Sequence, residues 1–225
     1  MELYGQKSRS ILQKAIIILL ETVILAASWH LLFGDGLSRM GVDLQPGDPT
    51  RRILVFSFNC VVYVRMWITM TFLLKRRIPF AEVVSIPLAF ALYYIGYSLL
   101  VYQTSRPIDG IDMIGVSIFV LGSLLNTVSE IQRDGWKRDP ANQGRLYTEG
   151  LFGYSMHINY FGDWLWVIGY AVITRNWYSI AIPIVLFGFF VFFNIPQLDS
   201  YLLARYGEQF DRYRENTRRF IPFVL

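Results

Sequence analysis

The chain has 225 residues, of which 54% are hydrophobic and only 17% are charged, with a formal net charge of +4. A soluble domain usually carries about 25% charged residues, so the composition argues against a soluble protein and favours an integral membrane protein. The single cysteine, Cys60, excludes an intramolecular disulfide and a cysteine-based zinc site. The positive charges lie between apolar segments, which fits membrane topology better than binding to nucleic acid.

Six apolar segments are long enough to cross the bilayer core as helices, which takes about 20 residues each. We predict them at residues 11–33, 53–74, 82–102, 111–131, 159–174 and 177–194. The alternating pattern of a membrane barrel is missing, and lipid requires every backbone group to be paired, so the segments are predicted to be helices. The predicted fold is an all-α polytopic membrane bundle of about six helices (six or seven), in one membrane domain at 1–225.

Lys and Arg residues are concentrated in alternate connections between the predicted spans. With the N-terminus inside, fifteen of the 21 lie on the inner side, near residues 7–14, 75–77, 133–145 and 205–219. The positive-inside rule then predicts that both termini are cytosolic, in a bacterial inner membrane or an endoplasmic reticulum membrane depending on the source. In the tail at 197–219, aromatic residues recur at helical spacing among charges, which predicts an amphipathic interfacial helix.

Two of the polar residues inside predicted spans, where an ionisable side chain is costly, are candidates for binding the substrate. Glu21 is in the middle of the first span, and Tyr63 is in the second. A structurally paired carboxyl and a packing tyrosine are the simplest interpretations, and both stay open. If the two side chains face each other, a protonated Glu and a Tyr hydroxyl would both donate to one carbonyl oxygen and draw electron density from an enone.

Three polar stripes occur at helical spacing toward one membrane face. They consist of Asn126 and Glu130, of Asn159 and Asp163, and of Asn194, Gln197, Tyr201 and Arg205. Each stripe alone is typical of a solvated helix end, but together they fit a phosphate-bearing, nucleotide-like ligand. The two isolated histidines, His30 and His157, predict no metal site. GxSxG and GxGxxG motifs are absent, which disfavours a serine hydrolase and a Rossmann domain.

A polar run at residues 150–163 reads Gly-Leu-Phe-Gly-Tyr-Ser-Met-His-Ile-Asn-Tyr-Phe-Gly-Asp, and Trp-Val-Ile-Gly-Tyr-Ala follows at 166–171. With these stretches, and with those at 121–130 and 221–223, the chain resembles the C-terminal domain of the steroid 5-alpha-reductases and of related bacterial membrane reductases. A weaker similarity lies at 60–63 and 72–79. The resemblance implies a helical membrane enzyme that reduces the carbon–carbon double bond of a 3-oxo-Δ4 steroid with NADPH.

The resemblance also implies roles for single residues. Tyr63 matches the tyrosine that hydrogen-bonds the substrate ketone, and Glu21 matches its glutamate partner. The N-terminal helices at 1–110 would form the substrate side, and the region at 111–225 would bind the cofactor. The resemblance and the polar stripes together give these candidate NADPH-binding residues: Asn126, Glu130, Arg133, Arg145, Tyr154, Asn159, Asp163, Asn194, Gln197, Tyr201 and Arg205.

We therefore expect an NADPH-dependent reductase of a lipophilic enone, acting as a monomer on a small molecule that enters from the membrane lipid. Two alternatives stay open. Isoprenylcysteine carboxyl methyltransferases and phospholipid methyltransferases resemble the same region and bind S-adenosylmethionine, but their Arg-His-Pro-x-Tyr is replaced here by Met-His-Ile-Asn-Tyr at 156–160. The other alternative is a non-enzymatic sterol- or lipid-binding membrane protein.

Overall fold

The computed structural model describes residues 10–39, 41–42 and 44–224. Lys7 and Arg9, which belong to the predicted N-terminal positive cluster, lie outside the described residues. Within the described ranges the chain is helical and contains no strand. The predicted all-α fold class is therefore confirmed.

The α-helices are α1 (Ile11–Phe33), α2 (Gly36–Arg39), α3 (Pro49–Ile68), α4 (Phe80–Ala91), α5 (Tyr97–Val101), α6 (Gly110–Lys137), α7 (Ile158–Thr174), α8 (Ala181–Phe189), α9 (Ile195–Tyr206) and α10 (Glu208–Asn216). Three π-helical turns extend or join them at Thr69–Leu73, Leu92–Gly96 and Phe190–Asn194. Short 3₁₀ segments lie at Pro140–Asn142, Gly150–Gly153 and Trp177–Ile180.

Five helical runs among the described residues are long and apolar enough to cross a membrane. They are Ile11–Phe33, Pro49–Leu73, Phe80–Val101, Gly110–Lys137 and Trp177–Tyr206. The remaining predicted span corresponds to α7, which has 17 residues. Large apolar side chains on these runs are exposed, such as Val84 and Leu88 at 67% and 70%. A soluble protein rarely exposes extended apolar surface, so these features support an integral membrane protein.

The ends of two helices follow from local sequence chemistry. Asp48 caps α3 by accepting a hydrogen bond from the backbone N–H of Arg51 at 2.8 Å, and Pro49 occupies the first helical position. At the other end of the chain, Gly207 has a φ of 50° and separates α9 from α10. The predicted amphipathic tail therefore consists of two helices, because glycine adopts this left-handed backbone without steric cost.

The chain divides into two compact units, each built from two stretches of sequence. The first unit comprises the residues up to Val116 together with Gly169–Ile182. The second comprises Ser117–Ile168 together with the residues from Pro183 onward. In the first unit, α1 packs against α3 and α4. In the second unit, Phe220 is 1% exposed and packs among apolar residues that include Phe190.

Candidate functional site

A hydrogen-bonded polar cluster is buried in the first unit. The Asn59 Nδ2 atom donates to Ser28 Oγ at 3.2 Å, and the Asn59 Oδ1 atom accepts from the Tyr170 hydroxyl at 2.7 Å. The Tyr170 ring stacks on Tyr97 with the ring centroids 4.7 Å apart. All four side chains are fully buried. Because Ser28, Asn59 and Tyr170 bond to one another, this cluster fits a structural role.

Glu21 has a different environment in the same unit. Its side chain is fully buried, yet neither carboxyl oxygen makes a well-formed hydrogen bond among the described residues. The carboxyl is in weak hydrogen-bond contact with the Tyr94 hydroxyl. Tyr63, the predicted partner of Glu21, shares a 2.7 Å hydrogen bond with Thr22 Oγ1. The structure therefore brings Glu21 beside Tyr94, while the hydroxyl of Tyr63 is engaged by the residue next to Glu21.

Three of the predicted cofactor-binding residues form a connected group in the second unit. Asn159 Nδ2 donates to Glu130 Oε1 at 2.9 Å, and Asn126 Nδ2 donates to the backbone oxygen of Asn159 at 3.1 Å. We call Asn126, Glu130 and Asn159 the amide–acid cluster. Glu130 also forms an ion pair with Arg133, a fourth predicted residue. Two stripes that are distant in sequence thus meet, and their part in a cofactor pocket stays a prediction.

Two glycines bring the helices that carry this cluster close together. A Cβ atom on Gly162 would lie 2.6 Å from the backbone nitrogen of Asn126 and 2.7 Å from the backbone oxygen of Gly122. A Cβ atom on Gly122 would lie 2.5 Å from the backbone nitrogen of Trp166. These separations are too short for any side chain, so only glycine allows this approach. The glycine contact therefore helps to set the spacing within the amide–acid cluster.

Basic side chains of α6 and α9 also come together in the second unit. Arg205 Nη1 donates to the Tyr201 hydroxyl at 2.5 Å. The Lys137 ammonium is close enough to Arg133 and Arg205 for charge repulsion, and to Glu130 and Asp134 for attraction. We call Arg133, Lys137 and Arg205 the cation group. Lys137 was not among the predicted site residues, although its four-residue spacing from Arg133 is the signal that places both on one helix face.

Three more predicted residues lie on helices of the second unit. Asp163 Oδ1 accepts from the Trp166 Nε1 atom at 2.8 Å, one turn later on α7. Asn194 ends the π-helical turn before α9 and is half-buried, and Gln197 is exposed in the first turn of α9. Asn194 and Gln197 thus lie within the helical run Trp177–Tyr206, and the cofactor role of all three residues stays a prediction.

The last two predicted residues lie in the connection between α6 and α7. Arg145 Nη1 donates to Asn142 Oδ1 at 3.4 Å. Tyr154 is 55% exposed, and its ring meets that of Phe223 with centroids 5.9 Å apart. Both of these contacts are made at the surface of the second unit. To bind a cofactor, Arg145 would have to leave its contact with Asn142, and Tyr154 would have to leave its contact with Phe223.

His157, which the sequence left without a role, is buried in the second unit. Its Nε2 atom lies 2.7 Å from Asp199 Oδ1, and Asp199 Oδ2 accepts from Arg219 Nε at 2.8 Å. The imidazole ring stacks on Tyr160 at an interplanar angle of 8°. If Nε2 donates its proton to Asp199, the other ring nitrogen is an acceptor. The pair is separated by 42 residues, so no local spacing could have indicated it.

The C-terminal segment holds the loop that leads into α7. The backbone N–H of Met156 donates to the backbone oxygen of Arg218 at 2.8 Å. The Tyr213 hydroxyl donates to the backbone oxygen of Phe152 at 2.6 Å. Burial raises the pKa of Tyr213 well above its ordinary value, so this hydroxyl keeps its proton and remains a donor. The position of the residues just before Asn159 therefore depends on the end of the chain.

Comparison with known proteins relates the chain to two classes of enzyme. It is 26% identical over 151 residues to a protein-S-isoprenylcysteine O-methyltransferase of Schizosaccharomyces pombe, covering 64% of this chain and 59% of the relative. It is 34% identical over 92 residues to a protein named "Probable O-methyltransferase" of Ustilaginoidea virens, covering 40% and 32%. It is 31% identical over 84 residues to a Delta(14)-sterol reductase of Schizosaccharomyces pombe, covering 36% and 19%.

The chain thus spans less than two thirds of the length of each of these relatives. Their names include methyltransferases and a reductase, so they support the wider superfamily of the steroid 5-alpha-reductases without singling out the 5-alpha-reductases themselves. Residues 80–217, more than half of the chain, match one family as a whole. The protein belongs to the family described as "Protein of unknown function (DUF1295)".

Proposed function

We propose that this protein is an NADPH-dependent membrane reductase that acts on the carbon–carbon double bond of a lipophilic enone. The substrate class would be a 3-oxo-Δ4 steroid or a similar isoprenoid lipid. The observation that carries this proposal is the cation group beside the amide–acid cluster. Lys137 lies within electrostatic reach of Arg133 and Arg205. Cations that repel one another are stabilised by a ligand with several negative charges.

The donor set fits NADPH better than S-adenosylmethionine. NADPH carries phosphate groups that the cation group would bind, whereas S-adenosylmethionine carries a positive sulfonium and no phosphate. The amides and the carboxylate of the amide–acid cluster can bond to the base or to the nicotinamide carboxamide. Asp163, Asn194, Gln197 and Tyr201 are further candidates for these polar contacts, and Arg145 and Tyr154 stay candidates from the sequence.

The first unit supplies the groups proposed to bind the substrate carbonyl. Glu21, when protonated, and a tyrosine hydroxyl would donate to the carbonyl oxygen and stabilise the negative charge that develops on it. The family resemblance implies Tyr63 as this tyrosine. NADPH, when bound, supplies the hydride, and one proton completes the reduction of the double bond.

The test is ligand stabilisation of the full chain in detergent micelles. A ligand that binds only the folded state at 100 times its Kd stabilises by about 2.7 kcal/mol. We expect NADPH to raise the melting temperature and S-adenosylmethionine to leave it unchanged. Lys137→Ala should weaken NADPH binding about tenfold or more, because a charged hydrogen bond contributes about 1.5–3 kcal/mol.

Arg212→Ala is the matched control for Lys137→Ala. Arg212 pairs with Glu208 on the exposed surface of α10, with its side chain 74% exposed. Its removal should leave NADPH affinity within about twofold of the wild type, since exposed ion pairs contribute about 0–1 kcal/mol. Equal losses in the two variants would show a general charge effect and would count against the cation group as the phosphate site.

A methyltransferase is the second candidate function, because two of the relatives described above are named as O-methyltransferases. Stabilisation by S-adenosylmethionine alone would replace the reductase with this function. Stabilisation by neither ligand would favour a sterol- or lipid-binding protein without catalysis.

We also propose that both termini are cytosolic, since basic residues such as Arg212, Arg214, Arg218 and Arg219 are concentrated in the tail. A C-terminal fusion to a fluorescent protein that matures only in the cytosol should fluoresce in a bacterial host. A C-terminal alkaline phosphatase fusion, which is active only outside the cytosol, should stay inactive. The opposite pattern would reverse the topology.

A further inference from the structure

Three buried polar side chains of the first unit make no well-formed hydrogen bond within the part of the chain that the structure describes. They are the carboxyl of Glu21 and the hydroxyls of Tyr94 and Ser98, and each residue is fully buried. Buried polar groups are nearly always hydrogen-bonded, because leaving one without a partner forfeits its solvation. Three such groups in one unit therefore indicate a place where another molecule completes the bonding.

The neighbouring polar residues show that buried polar groups of this unit are hydrogen-bonded where their role is structural. Ser28, Asn59 and Tyr170 are equally buried and bond to one another at 2.7–3.2 Å. Asn59 even reaches the backbone oxygen of Tyr94, at 3.5 Å, while the hydroxyl of that tyrosine makes no well-formed bond among the described residues. The Nε atom of Arg52 is also unsatisfied, but that side chain donates through Nη1 to the backbone oxygen of Leu32. Glu21, Tyr94 and Ser98 therefore differ from their neighbours in making no well-formed side-chain bond.

The backbone around Tyr94 is also unusual. Tyr94 lies in the π-helical turn Leu92–Gly96, and Ser98 follows in α5. The two residues are four positions apart in the continuous helical run Phe80–Val101. Helix α1, which carries Glu21, packs against this turn. π-helical turns inside α-helices recur at functional sites, where the wider turn re-aims a side chain.

We propose that Glu21, Tyr94 and Ser98 bind the one polar group of an otherwise apolar substrate, and that Tyr94, rather than Tyr63, is the tyrosine that acts with Glu21. This inference rests on the proposed function for the identity of that polar group, a ketone conjugated to a double bond. A ketone oxygen accepts two hydrogen bonds, which a protonated Glu21 and the Tyr94 hydroxyl can donate together.

Tyr63 is less suited to this position. Its hydroxyl already shares a 2.7 Å hydrogen bond with Thr22 Oγ1, and its side chain is only half-buried. Recruiting it to a ketone would break that bond, whereas Tyr94 has only its weak contact with the Glu21 carboxyl to rearrange. A more buried site also excludes competing water, and this strengthens the hydrogen bond between a donor in that site and the substrate.

The experiment measures binding of tritiated cholest-4-en-3-one to the full chain in detergent micelles without any cofactor. Unlabelled cholest-4-en-3-one should displace the probe at least ten times better than cholestane, which has the same skeleton and no oxygen. Tyr94→Phe should raise the Kd about tenfold. Tyr93→Phe, the neighbouring change in the same π-helical turn, should stay within twofold of wild type, and Tyr63→Phe should lose less affinity than Tyr94→Phe.

A melting curve of each variant separates this role from a structural one. Removal of a buried hydroxyl that makes no well-formed hydrogen bond should leave the melting temperature of Tyr94→Phe equal to or above that of wild type. Tyr170→Phe, which deletes the hydroxyl bonded to Asn59, should melt lower. A lower melting temperature for Tyr94→Phe would contradict the inference, because it would reveal a structural bond of that hydroxyl.

Other outcomes overturn the inference or the proposed function separately. A loss of affinity in Tyr63→Phe with wild-type affinity in Tyr94→Phe would return the donor role to Tyr63. Absence of probe binding by the wild type, or equal displacement by cholestane, would refute a ketone site. If the expected binding pattern is found but the protein never consumes the probe with NADPH, the reductase is refuted while the three-residue site stands.

Discussion

The guanidinium of Arg51 forms a bidentate ion pair with the carboxylate of Asp112, with N–O distances of 2.6 and 2.9 Å, and both side chains are fully buried. Arg51 also donates to three backbone carbonyl oxygens. Asp112 accepts a further bond from Arg175 Nε at 3.0 Å, and this bond raises the pKa of the Arg175 guanidinium. These hydrogen bonds satisfy both buried charged groups and offset the cost of removing them from water.

Asp112→Ala should destabilise the protein by about 3–5 kcal/mol, because it leaves the buried Arg51 without its counter-charge. The measurement is the unfolding midpoint in detergent micelles. Glu208→Ala, which removes one partner of an exposed pair, should cost less than about 1 kcal/mol. Equal midpoints for the two variants would mean that the buried pair contributes no more than a surface one.

Gly162→Ala should destabilise the second unit by at least about 1–3 kcal/mol, the usual cost of overpacking. The added methyl group would lie 2.6 Å from backbone atoms of α6, which cannot move as a side chain can. We expect weaker NADPH binding as well, because the amide–acid cluster depends on this approach. Gly188→Ala is the control, since its Cβ would meet only Phe192 Cδ2 at 3.9 Å; destabilisation by both changes alike would contradict the steric explanation.

Asp199→Ala should destabilise the protein by about 1–3 kcal/mol, because His157 and Arg219 would lose their shared acceptor. The effect should extend to the loop before α7, so the Met156 amide should exchange its hydrogen faster. Hydrogen exchange read by mass spectrometry would show this change. Ser200→Ala, at an exposed neighbour whose hydroxyl donates to the backbone oxygen of Pro196 in its own helix, should leave exchange at Met156 unchanged.

The affinity for NADPH should fall as salt concentration rises, because the cation group acts on phosphate through charge. In Lys137→Ala the dependence on salt should be shallower, since one of the charges is gone. Titrations of NADPH at low and high KCl, with wild type and variant, measure both slopes. Parallel slopes would indicate that Lys137 does not face the cofactor.

The sequence predicted best those features that depend on local spacing. The apolar runs located the helices, and the four-residue spacing of Asn126 and Glu130 identified two residues that the structure joins through Asn159. The pairing of Glu21 with Tyr94 could not be predicted, because 73 positions separate the two residues and the link requires a known helix packing. The π-helical turn around Tyr94 also changes the helical period on which spacing arguments depend.

Each unit is assembled from two separate stretches of chain, and this affects the order in which the protein can mature. Asn59 and Asp112 receive hydrogen bonds from Tyr170 and Arg175, which the ribosome adds much later. Domains generally fold from the N-terminal end during synthesis. The early stretch therefore enters the bilayer before its buried amide and carboxylate have these partners, and unsatisfied polar groups are costly in lipid. The first unit should accordingly remain open to membrane chaperones and quality-control proteases until translation has passed Arg175.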